Sequence, residues 1–212
     1  MSNWFNYIKE HPENLWSHSE ISRNPNVTWD IVQDNLDWSW DYSTLGENPN
    51  ITWDIVEANP DINWKFDNLS KNPNITWDII ESNRYYPWNY GVLSNNPNIT
   101  WDIVNANSER SWNFCELSRN PNITWDIVNA NPGKYWNYNM LSLNPNITWN
   151  NIEQIIEKVN QNSDFPHNFT NVHISLNPNI NWDIIESNPT FKWSYYSLSC
   201  HPNITWEHVE GY

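Results

Sequence analysis

Six aspartates occupy one place in a recurring phrase: Asp30, Asp54, Asp78, Asp102, Asp126 and Asp183. A column of carboxylates could hold cations or imitate the phosphates of DNA. Each also falls in the first turn of a short helix expected from its surroundings, where a negative charge complements the positive end of the helix dipole. Stacked about 10 Å apart, at a helix-packing spacing, they are too distant to share one ion. The dipole reading therefore comes first. The six histidines, His11, His18, His167, His173, His201 and His208, have no Cys or His partner at metal-ligand spacing. With only four glycines there is no phosphate-cradling Gly loop. Cys115 and Cys200 lie about three structural units apart, roughly 30 Å at that spacing, too far for a disulfide. No nucleophile, acid and base converge, so the expectation is no enzyme, no metal and no cofactor.

Two further patterns invite chemistry. Asn-Ile-Thr is formally a glycosylation sequon at Asn50, Asn74, Asn98, Asn122, Asn146 and Asn203. No basic stretch leading to a cleavage site precedes it, so it reads instead as a turn followed by a helix N-cap. The tryptophans could be sugar-stacking platforms, but their strict period suits core packing better.

The composition narrows the partners. Ten Lys+Arg against 25 Asp+Glu give a formal charge of −15 and a pI near 4.5. That excludes a basic face for displacing counterions from nucleic acid, and equally an electrostatic dock on an anionic membrane. No apolar run reaches the ~18 residues of a membrane span. With two cysteines and no signal peptide, an intracellular, cytoplasmic chain is the simplest reading (host cytoplasm or virion, if the source is a virus). The chain has 17 Trp, 14 Pro and about 40 Asn, with 16% aromatics. Low hydrophobicity with high charge usually means disorder. Regularly placed tryptophans, burying ~150–250 Å² each, oppose that.

They are regularly placed. Asn-Pro-Asn, with His in first place at the end, recurs at Pro25, Pro49, Pro73, Pro97, Pro121, Pro145, Pro178 and Pro202. The spacing is 24 residues except once, where it is 33. Four residues after each proline comes a Trp, from Trp29 to Trp206, and nine before it another aromatic: Trp16, Trp40, Trp64, Trp88, Trp112, Trp136, Phe169 and Trp193. Such a period signals a stacked array. In one unit, Thr52 is the expected N-cap of a helix A of about seven residues, with Ile55, Val56 and Asn59 on one face beside Trp53. Asn59 before Pro60 stops it. Helix B is expected over about two turns from Trp64 to Lys71, followed by Asn72-Pro73. Its aromatic recurs as Tyr42, Phe66, Tyr90, Phe114, Tyr138 and Tyr195, and its aliphatic as Ile21, Leu45, Leu69, Leu93, Leu117, Leu141, Ile174 and Leu198. Helices this short are unstable alone, so units must stack. The fold class is an all-α solenoid of about eight 24-residue two-helix units, roughly 70–80 Å long at ~8–10 Å per unit.

The motif Leu-Ser-x-Asn-Pro-Asn-Ile-Thr-Trp-Asp-Ile-Val, as over Leu117 to Val128, resembles the leucine-rich repeat variant family, whose repeats are also about 24 residues with Asn-Pro before a short helix. That resemblance implies a right-handed superhelix of alternating α and 3₁₀ helices. The chain departs from it in placing Trp where that family has aliphatics. The same wording looks like Trp- and Asn-rich repeat proteins of giant amoeba viruses, and abundant Asn, Ile and Tyr fit an AT-rich genome. Neither resemblance implies an activity.

The expected layout is a single domain over 1–212: an atypical opening unit at 1–24, five regular repeats at 25–144, a repeat with a nine-residue insertion at 145–177, a regular repeat at 178–201 and a half-repeat cap at 202–212. His208 replaces an aliphatic in that cap, and the array reads as complete. The insertion extends helix A from Trp149 to Val159, with a loop from Gln161 to His167. It is either a tolerated surface insertion or a protruding recognition element. The residues between helices A and B differ in every unit and are rich in Tyr and Arg, types favoured at interface hot spots. Drifting loops are the equal alternative. The candidate partner-binding residues are Tyr85, Tyr86, Arg110, Lys134, Tyr135 and Phe191, with Lys158 and Phe165 in the insertion. The expected function is a non-enzymatic scaffold binding another protein through these loops and the inserted segment; the alternative is a self-associating structural or packaging protein of a viral particle.

Overall fold

The computed structural model describes residues 3–161 and 170–210, and among these every regular element is an α-helix, with no strand. The chain divides into two compact units, Met1–Ile99 and Thr100–Tyr212. The first holds α1 (Asn3–Glu10), α2 (His18–Arg23), α3 (Trp29–Gln33), α4 (Tyr42–Leu45), α5 (Trp53–Ala58), α6 (Phe66–Leu69), α7 (Trp77–Ser82) and α8 (Tyr90–Leu93). The second holds α9 (Trp101–Ala106), α10 (Phe114–Leu117), α11 (Trp125–Ala130), α12 (Tyr138–Leu141), α13 (Trp149–Gln161), α14 (Asn171–Ser175), α15 (Trp182–Ser187), α16 (Tyr195–Leu198) and α17 (Trp206–Glu210). Helices A and B alternate, and equivalent helices stack: α2 on α4 in the first unit, α12 on α14 and α14 on α16 in the second.

Each helix A begins where expected. The N-caps Thr28, Thr76, Thr100 and Thr124 accept a backbone N–H at 3.4–3.5 Å, whereas Thr52 holds the cap backbone without a side-chain bond. The stop owes more to asparagine than to proline. The amides of Asn35, Asn59, Asn83, Asn107, Asn131 and Asn188 each donate at 2.7–2.9 Å to the carbonyl four residues back. Asn83 and Asn107 do so with Arg84 and Ser108, not proline, following.

Helix B is shorter than its pattern suggests. It is a single α turn, and Trp64 lies in the link before it rather than in its first turn. Both helices of a pair are α, so the 3₁₀ alternation is not seen among the described residues. A side-chain cap at Asp41, Asn89, Asn113, Asn137 or Ser194 holds the turn. The helix-B aliphatics are all buried, as is the aliphatic of each turn, from Val27 and Ile51 to Ile147 and Ile180. Each contributes about 1.5–3 kcal/mol by burial. The helix-B aromatics are half-buried, enough to push the Tyr138 phenol pKa up. Tyr195 is exposed, not core.

Between successive layers runs a ladder of asparagine amides. Asn48 Nδ2 donates to the carbonyls of Ser22, Asn24 and Val27 at 2.9–3.1 Å, and Asn72 Nδ2 to those of Gly46, Asn48 and Ile51 at 2.9–3.0 Å. In the second unit Asn144 reaches Ser118 and Asn120, and Asn177 reaches Ser142 and Ile147. Each Oδ1 accepts the N–H two residues on, closing its own turn. These asparagines are fully buried. An amide supplies donor and acceptor on one flat group, and backbone groups buried between layers must be satisfied. At the last such turn among the described residues His201 takes the place, its Nε2 2.9 Å from Asn177 O and its Nδ1 accepting Asn203 N–H.

The longer helix A is present as α13, and Gln161, expected in the loop, closes it. Ile152 and Ile155 face the core. The remainder of the expected loop lies outside the described residues.

Candidate binding surface

The links between helices A and B share one geometry. The link Trp indole N–H donates to the carbonyl of the asparagine capping helix A, as Trp40 to Asn35, Trp64 to Asn59, Trp88 to Asn83, Trp136 to Asn131 and Trp193 to Asn188, at 2.9–3.1 Å. Its backbone N–H donates to the carbonyl two residues back, at 2.7–2.9 Å. That closes a γ-turn, of the inverse kind because no non-glycine residue has positive φ among the described residues.

This kink sorts the three residues before the Trp. The third and first before it point outward in every link: Asp37 and Ser39, Asp61 and Asn63, Tyr85 and Pro87, Glu109 and Ser111, Gly133 and Tyr135, Thr190 and Lys192 are all exposed. The middle one turns toward the helix pair of the preceding layer and is half-buried in every one of these links except at Lys134, which stays exposed. Tyr86 stacks on Phe66 (centroids 4.8 Å apart, 18°) and meets Trp53 edge-on at 5.5 Å. Phe191 meets Trp149 edge-on at 5.4 Å. Lys134 Nζ stands 5.3 Å from the Phe114 ring centre.

The candidate residues therefore divide. Tyr85 and Tyr135 are outward, 77% and 91% exposed. Tyr86, Phe191 and Arg110 are half-buried at the middle place, Arg110 with an ion pair to Glu109 at 3.3 Å, while Lys134 at the same place is exposed. Lys158 lies on α13, its Nζ 4.8 Å from the Trp125 ring centre and 2.5 Å from Asn129 Oδ1. Phe165 lies outside the described residues.

The other chemistry-bearing columns fall into place. All six aspartates are exposed in the first turn of their helices, and no cluster of three metal-binding side chains occurs among the described residues. Cys115 and Cys200 are unpaired thiols. The sequon asparagines Asn50, Asn74, Asn98 and Asn203 donate through Nδ2 to two carbonyls of the preceding turn, a proline's at 2.6–2.8 Å and an aliphatic's at 3.0–3.1 Å. A glycan on that nitrogen would remove one of the two donors. No helix among the described residues is long and apolar enough to cross a membrane.

The chain is an all-α, tryptophan-rich repeat protein. No protein-family model matches it, and no curated protein or solved structure does either.

Proposed function

We propose that the chain is a non-enzymatic scaffold that binds another protein through the outward residues of its links. The observation that carries this is the division within each link. The frame repeats its Trp, Asn and Leu in layer after layer, while the two outward positions, which the γ-turn holds in solvent, change from link to link. Tyr85 and Tyr135 are the residues expected to contribute most, since a rigid exposed aromatic supplies contact area at small entropic cost. The −15 charge favours a partner with a basic surface.

The test is capture from an extract of the natural host by the parent and by a Tyr85→Ala/Tyr135→Ala variant. Neither ring packs in the core, so the variant is expected to melt within about 0.5 kcal/mol of the parent. A discrete partner retained by the parent and lost by the variant supports the reading. Equal capture by both overturns it.

A further inference from the structure

The outer side of helix B differs between the two units. Two of its columns stand four residues apart and so share one side of the helix. In the first unit they carry Ser19 and Arg23, Ser43 and Glu47, then Asp67 and Lys71 in successive layers. The charges pair across layers, with Glu47 3.8 Å from Arg23 and 2.9 Å from Lys71. In α12, α14 and α16 of the second unit the same places carry Asn139 and Leu143, Val172 and Leu176, then Tyr196 and Cys200. The ladder of ions has become a stripe of apolar side chains.

Val172 is 45% and Leu176 37% exposed although α12 and α16 stack on either side of α14. These columns therefore face outward by their place in the layer, not by lying at an end. Tyr196 is exposed in the same column as Val172, and Leu143 is half-buried. The fold asks for none of these apolar residues, since Arg, Glu and Lys serve at equivalent places in the first unit. The face is also without charge. Tyr138 to Leu143, Asn171 to Leu176 and Tyr195 to Cys200 contain no Asp, Glu, Lys or Arg, in a chain of formal charge −15. The helices A of the same unit, by contrast, present exposed carboxylates at Asp102, Asp126 and Asp183.

We propose that this helix-B face is a contact between two copies of the chain. Charge selects the occupant. A basic partner gains nothing from a face without carboxylates, whereas two strongly acidic chains meet most readily where neither sets like charges against the other. Since α12 and α16 flank α14, a two-fold axis at α14 brings Leu143 of one copy against Tyr196 of the second, and the α14 residues of both copies together. An apolar patch on the order of 300–600 Å² supplies the centre of such a contact, less than the ~800 Å² per partner of a standard interface. The dimer is accordingly weak, with a Kd of about 10–100 µM. The surface is separate from the outward link positions and stands or falls apart from them.

The test is sedimentation velocity of the full chain, from tenfold below to tenfold above that Kd, in reducing buffer so that Cys200 links no copies. A monomer–dimer equilibrium is expected. Val172→Asp/Leu176→Lys copies the Asp67 and Lys71 of α6 onto α14 and is expected to weaken it at least tenfold at an unchanged melting midpoint. Leu143→Glu, which copies Glu47, and Tyr196→Lys are each expected to weaken it several-fold. Tyr196 is exposed, so its variant keeps the test sound should the α14 variant fold poorly. Mixed, the Leu143 and Tyr196 variants are expected to associate more tightly than either alone. The two-fold contact then pairs the new carboxylate with the new ammonium and leaves the other Leu143–Tyr196 contact intact. The Tyr85/Tyr135 variant is expected to dimerise as the parent does. A chain that stays monomeric throughout overturns the proposal. So does growth into larger species, as an open head-to-tail contact gives, or dimerisation indifferent to the α14 and Tyr196 variants. A mixture no tighter than its parts overturns the two-fold arrangement.

Discussion

Two clefts of the second unit have matching walls and differently exposed aromatics. Trp101, Val104, Trp112 and Phe114 line one; Trp182, Ile185, Trp193 and Tyr195 line the other in the same order. In the first, Lys134 and Trp136 arrive from the following link, and Phe114 is half-buried. In the second, Tyr195 at the place of Phe114 is 72% exposed. The difference teaches that a layer does not bury its own aromatics. Burial belongs to the interface between neighbours, as nearest-neighbour energetics of repeat arrays require. It also separates a tryptophan's place in the period from its energetic weight: Trp125 is 6% exposed and Trp206, at the same register, 70%.

The sharpest way to break this comparison is to remove a filling. Trp136→Ala takes away the ring that meets Trp101 and Phe114 and removes the indole donor from Asn131 O, which keeps the Lys134 N–H. The expected loss is about 3–5 kcal/mol in a denaturant melt. Trp206→Ala removes an exposed ring and is expected to stay within about 0.5 kcal/mol of the parent. Similar losses for the two would mean that layer position does not govern the weight of a tryptophan.

The ladder offers a second contrast. Asn144→Ala deprives the buried carbonyls of Ser118 and Asn120 of a donor and Asn146 N–H of its acceptor. With about 1–3 kcal/mol per buried group left unsatisfied, a loss of about 2–4 kcal/mol is expected. His201→Ala breaks one bond to the layer below and one within its own turn, so about half that loss is expected. Asn144→Asp keeps the acceptor but sets a carboxylate against two carbonyl oxygens. It is expected to melt no higher than Asn144→Ala, and a higher melt would place the value of Asn144 in its own turn rather than in the ladder.

The period, the helix pair, the Leu column and the long α13 were legible because each rests on spacing, which the sequence states directly. The asparagines were legible only as turns and stops. That Asn48 reaches back 26 residues to Ser22 O depends on the stacking distance, which no local pattern encodes. The available signal was the repetition of an amide beside proline where Asp or Ser would have turned the chain as well. The pattern extends helix B too far at its start: Phe66 and Leu69 stand at helical spacing, but the Trp64 indole is committed to Asn59 O and holds that residue in the link. The sorting of candidate residues was hidden for a similar reason. Tyr85 and Tyr86 are adjacent and identical in type, and only the γ-turn sends one outward and the other onto Phe66.

The smallest expected effect tests whether layers are interchangeable. Where other layers place a serine whose Oγ accepts the N–H after the next link Trp, as at Ser22 and Ser70, one has Gly46. Its backbone, φ −59° and ψ −23°, is right-handed helical, so no glycine is needed for conformation. Without a hydroxyl there, Lys65 N–H has no counterpart to the bond that Asn89 makes to Ser70. Gly46→Ser would offer Lys65 an acceptor worth about 0.5–1.5 kcal/mol. Loss of glycine's freedom in the unfolded chain adds about 0.4–1 kcal/mol. A new Cβ would meet Ser43 O at 3.3 Å and Leu69 at 3.5 Å, a fit that asks a few tenths of an ångström of its neighbours. A net gain of about 1 kcal/mol is expected, read as a higher denaturant midpoint at unchanged slope. Gly46→Ala separates the parts: it gains the chain restriction without the hydrogen bond and should fall between parent and serine variant. If both variants are less stable than the parent, then Leu69 is fitted to the bare α-carbon of Gly46, and that layer, unlike its neighbours, has a packing of its own.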